Sequence, residues 1–135
     1  MKRWLRLVLL LIGALAVLVV AAGQAGLLAG SAPTTLGVRD DRLAPPALSH
    51  NSVSSQADLY PDHPQRGTAR VAPLQFSGDG EAAMARLAVV IRQMDRTRII
   101  TQQPEYMHVE FQTAGLRYTD DLELWLDRRN GVIQV

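Results

Sequence analysis

The chain has 135 residues, 47% of them hydrophobic, a formal charge of +1 and no cysteine. The missing thiols exclude disulfides, thiolate metal sites and cysteine nucleophiles, so folding must rest on packing. With Lys2, Arg3 and Arg6 set aside, 11 basic and 13 acidic side chains remain, a net of −2, without the basic cluster that nucleic-acid binding needs.

Leu7 to Gly30 is a run of 24 residues interrupted only by Gln24. As a helix it spans about 36 Å, enough to cross a hydrocarbon core of about 30 Å. Two readings stand. One is an uncleaved membrane anchor, because Leu7 to Gly23 alone exceeds a usual signal core; the other is a signal segment cleaved near Ala22-Gly23-Gln24 or Ala29-Gly30-Ser31. Leu28-Ala29-Gly30-Ser31 looks like a lipoprotein-processing pattern with Ser where the lipid-modified Cys should stand, so no lipid can be attached. Basic residues ahead of the run keep the N-terminus in the cytoplasm and send Ser31 onward across the membrane. The expected location is the bacterial inner membrane with the C-terminal domain in the periplasm, or the periplasm alone after cleavage.

Residues 31–69 hold five of the seven prolines and read as an extended tether. Within it, Asn51 to Asp58 has enough small hydrogen-bonding side chains to dock on a neighbouring domain, or to remain solvated.

The interpretable periodicity begins at residue 70. A short strand carries Leu74 and Phe76 on one side, and Pro73 confines it to a sheet edge. Asp79 fits a helix N-cap with Glu81 in the first turn, and Ala83, Met84, Leu87, Val90, Ile91 and Met94 recur at helical spacing to about Met94. Thr97 to Gln102 is β-branched. Tyr106 to Thr113 alternates, with Met107, Val109 and Phe111 opposite Tyr106, His108, Glu110 and Gln112. Leu122, Leu124 and Leu126 repeat the pattern against Glu123, Trp125 and Asp127, and Asn130-Gly131 signals a hairpin into Val132 to Val135. The expected fold is α+β in the order β-α-β-β-β-β, one helix on a small antiparallel sheet, over residues 70–135.

Chemistry-bearing residues are sparse. His108, Glu110, Glu123 and Asp127 could share a face as metal ligands, but a solvated outer face explains them. Asp120-Asp121 reads as the end of a turn. Ser52, Ser54 and Ser55 lack a nucleophile elbow and fit loop hydrogen bonding, with His50 or His63 as the only nearby bases. Gly78-Asp79-Gly80 fits a cap, since Asp79 repels an anion. No catalytic set, metal site or cofactor is assigned. Tyr106, His108, Glu123 and Trp125 form the candidate partner surface, because aromatics among charges mark a covered face. Its cover is the tether, a further C-terminal segment or a partner protein.

Eight short motifs then carry a resemblance. Leu43-Ala44-Pro45, Asn51 to Gln56, Ala72-Pro73-Leu74, Gly78-Asp79-Gly80, Arg96 to Ile99, Tyr106 to Phe111, Asp120 to Glu123 and Gly131 to Ile133 occur in one order. From about Gly37 to the end the chain resembles the bacterial family of unknown function numbered 1499. The resemblance implies small proteins, often with an N-terminal export or membrane segment, and no established activity. Family members often carry cysteines where this chain has Pro46 and Ser52, which implies a looser tether here. They also continue past the last hairpin, so the resemblance implies a family C-terminal segment that is not seen after Val135 here. A core this small implies marginal stability.

The sequence therefore supports a membrane-anchored extracytoplasmic module that binds a partner or associates with the envelope. A small hydrolase or metal-dependent enzyme, or a truncated member with impaired function, are the alternatives. Expected partners are the membrane, through residues 7–30, and an envelope protein.

Overall fold

The computed structural model describes residues 2–135. Two compact units are separable: one takes in the chain as far as Ala32 together with Gln112–Asp120, the other Pro33–Phe111 with Asp121–Val135.

In the first unit, helix α1 (Lys2–Gln24) carries large apolar side chains such as Leu10, Leu11 and Val17 outward. Its 23 residues are long and apolar enough to cross a membrane. The helix stops six residues before the end of the apolar run, for a local reason. Gly26 takes a left-handed φ of 80°, Leu27 N–H donates to Ala22 O at 3.0 Å and Gly26 N–H to Gly23 O at 2.9 Å, the paired bonds of a glycine-terminated helix. The segment Gln112–Asp120 meets this end. Gln24 Nε2 donates to Gly115 O at 2.6 Å and Arg117 Nη1 to Gln24 O at 3.2 Å. A Cβ on Gly23 would lie 2.5 Å from Leu116 O, so the approach requires glycine.

The second unit holds, except for Gln112, Thr119 and Asp120, a five-stranded sheet of order β1-β5-β4-β3-β2, comprising β1 (Leu74–Gln75), β2 (Thr97–Gln102), β3 (Tyr106–Gln112), β4 (Thr119–Asp127) and β5 (Val132–Gln134). Pro73 stands just before β1, which lies at the edge and pairs antiparallel with β5. Helix α2 (Gly80–Arg92) starts under an Asp79 cap, whose Oδ1 accepts from Ala82 N–H at 2.7 Å. It ends two residues before the expected Met94, where Thr97 Oγ1 donates to Ile91 O at 2.8 Å and occupies one of the orphan carbonyls. The chain thus has the α+β class and the β-α-β-β-β-β order that its periodicity predicts.

Ala83, Met84, Ala88 and Ile91 of α2 pack on Met107, Val109, Leu124, Leu126 and Ile133. The period-2 and period-3.6 patterns therefore meet in one core. Gly80 lets the helix start approach the sheet, since a Cβ there would lie 2.7 Å from Leu126 Cδ1. The Asn130-Gly131 hairpin closes through a four-residue loop, 128–131, rather than a two-residue turn. Asp127 Oδ1 takes the Asn130 N–H at 3.1 Å and Gly131 has a φ of 65°, which together close the longer loop.

Of the two expectations for the opposite sheet face, solvated or covered by the docked tether, the structure has the second. Residues 33–69, read as an extended tether, contribute buried Leu43, Ser54, Gln56, Ala57 and Ala69 and a 3-10 turn at Ala57–Leu59. Ser55 fastens this stretch to the end of β5: its N–H donates to Val135 O at 2.8 Å and its Oγ accepts from Val135 N–H at 2.8 Å. Gln56 Oε1 accepts from Leu43 N–H at 2.8 Å, and Tyr60 Oη donates to Leu43 O at 2.5 Å. The serines act through loop hydrogen bonds, as Ser52 Oγ also does in accepting from Ala47 N–H. The result is a strap that covers polar side chains, and among the described residues no buried side-chain nitrogen or oxygen is left unpaired.

Candidate functional site

Strand alternation sends Tyr106, His108, Asp121, Glu123, Trp125 and Asp127 to the strap side of the sheet. Their roles separate into fasteners and an open groove. His108 is 5% exposed and its Nε2 lies 2.7 Å from Asp121 Oδ1. Asp121, expected to end a turn, lies inside β4, and the same parity that carries Glu123 and Trp125 brings it to His108. Tyr106 Oη donates to Glu123 Oε1 at 2.7 Å, and the same oxygen accepts from Gly37 N–H at 2.6 Å. Burial and the adjacent Glu123 carboxylate push the Tyr106 phenol far above its ordinary range. It remains a protonated hydrogen-bond donor at every physiological pH. Of the four candidate surface residues, His108 and Glu123 are thus engaged inside the unit, while Tyr106 and Trp125 reach a groove.

That groove has a volume of about 520 Å³. Tyr106 and the half-buried Trp125 are among its lining, with Gln56 from the strap, Gln103 from the β2–β3 turn and Asn130 from the β4–β5 loop. Its charges are paired. Arg128 donates to Glu105 and Glu81, and Arg129 Nη2 lies 3.1 Å from Asp41 Oδ2. Asp127 is 4% exposed and accepts from Asn130 Nδ2 at 2.7 Å and Gln134 Nε2 at 2.9 Å. Burial pushes its carboxyl up, but bonds from the Asn130 and Gln134 side chains and the Asn130 and Arg129 amides outweigh that and hold it below the ordinary carboxylate range.

The proposed metal set does not assemble. Glu110 is taken by Arg98 Nη2 at 2.9 Å, His108 by Asp121 and Asp127 by Asn130 and Gln134. Among the described residues no three His, Asp or Glu side chains converge on one point. His63 Nδ1 accepts the Gln65 N–H at 3.1 Å, a local turn bond. Gln56, Gln103 and Asn130 are not read as site residues in the sequence, where Gln56 stands for docking and Asn130 for a hairpin, because amides in loops carry no periodic signal.

The family model described as a protein of unknown function, DUF1499, matches residues 42–135. The chain belongs to the DUF1499 family. The matched region includes most of the strap, from Arg42, and all of α2 and the sheet. The DUF1499 region therefore contains every groove residue named above except Asp41, the partner of Arg129. No curated protein and no solved structure matches this chain.

Proposed function

We propose that this DUF1499 protein is a membrane-anchored binding module, with α1 as an uncleaved anchor and the domain displayed on the periplasmic side of a bacterial inner membrane. The observation that carries the binding reading is the open groove at Trp125, where an indole and a phenol stand beside side-chain amides with free hydrogen-bonding capacity. Concave sites that combine aromatic walls with a few polar groups are the usual form of a binding site. Lys2, Arg3 and Arg6 ahead of the exposed apolar helix support the orientation. The candidate surface of Tyr106, His108, Glu123 and Trp125 becomes, in this reading, a Trp125 and Tyr106 face whose backing is fixed by His108 and Glu123.

In-cell crosslinking tests the face. A photoreactive side chain replacing Gln103 in the full chain should give an adduct with an envelope component, and the same group replacing exposed Arg86 on α2 should give none. No adduct at Gln103, or equal adducts at both positions, would remove the groove from the account.

A further inference from the structure

The chemistry left unspent in the groove specifies a ligand class. Both arginines at its rim are engaged with carboxylates, which argues against a bound anion. The same pairings occupy Glu105 and Asp41, and Asp127 is held by three hydrogen bonds, which argues against a cation. Neutral groups of the lining are left without a protein partner. No buried side-chain nitrogen or oxygen among the described residues lacks a partner, so unbonded polar atoms here open onto accessible space. They include the Trp125 indole N–H, the Gln103 amide, the Asn130 Oδ1 and the Nε2 of Gln56.

Gln56 is the most informative of these. It is 6% exposed, its Oε1 is fixed by Leu43 N–H, and its Nε2 is left without a protein acceptor at the groove wall. A buried amide oriented by one end and free at the other is a preorganised donor. An apolar ligand would cover these groups without satisfying them, at a cost of about 1–3 kcal/mol each. A ligand that presents apolar C–H faces to an aromatic ring and hydroxyl or amide groups at its edge satisfies all of them.

We propose that the Trp125 groove binds a neutral saccharide, with Trp125 stacking on a sugar ring and Gln56, Gln103 and Asn130 bonding its hydroxyl or N-acetyl groups. This rests on the binding-module reading and names its ligand. The chain has two tryptophans, Trp4 and Trp125, so Trp4→Phe leaves Trp125 as the sole indole reporter in the full chain held in detergent micelles. Titration with chitotetraose, a neutral N-acetylated oligosaccharide, should change its emission saturably below about 10 mM. Gln103→Ala, at an exposed side chain with no protein partner, should raise the half-saturation at least about tenfold with circular dichroism unchanged. Tetragalacturonate, which is anionic, should give no response.

No emission change with chitotetraose overturns the saccharide assignment, as does an equal response to the anionic oligomer or an undiminished one in Gln103→Ala. A protein adduct from the Gln103 crosslinker alongside a silent titration would leave the binding module standing with a different ligand. Loss of both would remove the two together.

Discussion

Leu126→Ala should lower the stability of the domain by about 3 kcal/mol, a large share of what holds a small domain folded. Leu126 is 1% exposed and sits among Met84, Ile133 and the start of α2, where Gly80 already brings backbone against its methyl groups. Neither neighbour can move to fill the void without giving up contacts of its own. For a domain of this size the change corresponds to a fall of roughly 15 °C in Tm. The control is Val90→Ala, at a residue 55% exposed on the outer side of α2, where the change should be within about 0.5 kcal/mol. Melting of the full chain in micelles, followed by near-ultraviolet circular dichroism, reads both. A Leu126→Ala shift no larger than that of Val90→Ala would contradict the assignment of the core.

Asp127→Ala should cost about 2–3 kcal/mol at pH 7 and should also change the shape of the acid transition. The carboxylate gathers Asn130 N–H, Asn130 Nδ2 and Gln134 Nε2 at the β4–β5 hairpin, and its removal leaves those donors facing a cavity. Because its folded pKa lies below the ordinary value, its contribution is complete above the unfolded pKa of about 3.9 and disappears as pH falls through the lower folded value. The native chain should therefore lose stability as pH falls below about 4, with a slope that Asp127→Ala reduces. Denaturant titrations at pH 7, 4 and 3 measure it. Parallel acid limbs in the two proteins would remove Asp127 as the source.

These two residues also show what the sequence made legible. Leu126 could be placed because its signal is local: Leu122, Leu124 and Leu126 alternate, and a strand with one covered face must bury that set. The helix followed for the same reason, from Ala83, Met84, Leu87 and Ile91, but Val90 and Met94, read on the same face by spacing, are exposed. Asp127 could be placed on the other face by parity, but not as a buried hub, because its partner Gln134 comes from the next strand and its burial from the strap. His108 and Asp121 illustrate the same limit. Their shared face follows from alternation, yet the pairing depends on the register between β3 and β4.

The strap was the least legible part. Its proline and serine content reads as a solvated linker, and its packing is set by bonds such as Ser55 to Val135, 80 residues apart in sequence. Such bonds leave no periodicity behind. The groove inherits that difficulty, since Gln56, Gln103, Trp125 and Asn130 come from four separate stretches. Trp125 alone of these stood out, as an aromatic among charges, and the structure sets side-chain amides and paired charges beside it.

Anchoring gives the groove its setting. In the proposed reading, an anchored α1 would keep the groove among the polymers and proteins of one compartment. The most direct test fuses alkaline phosphatase or green fluorescent protein to Val135 of the full chain in bacterial cells and follows the products through carbonate extraction of membranes. The account predicts active phosphatase, a dark fluorescent fusion, and an uncleaved chain that stays with the membrane pellet. A fluorescent fusion with inactive phosphatase, or a shortened chain released into the soluble fraction, would contradict it.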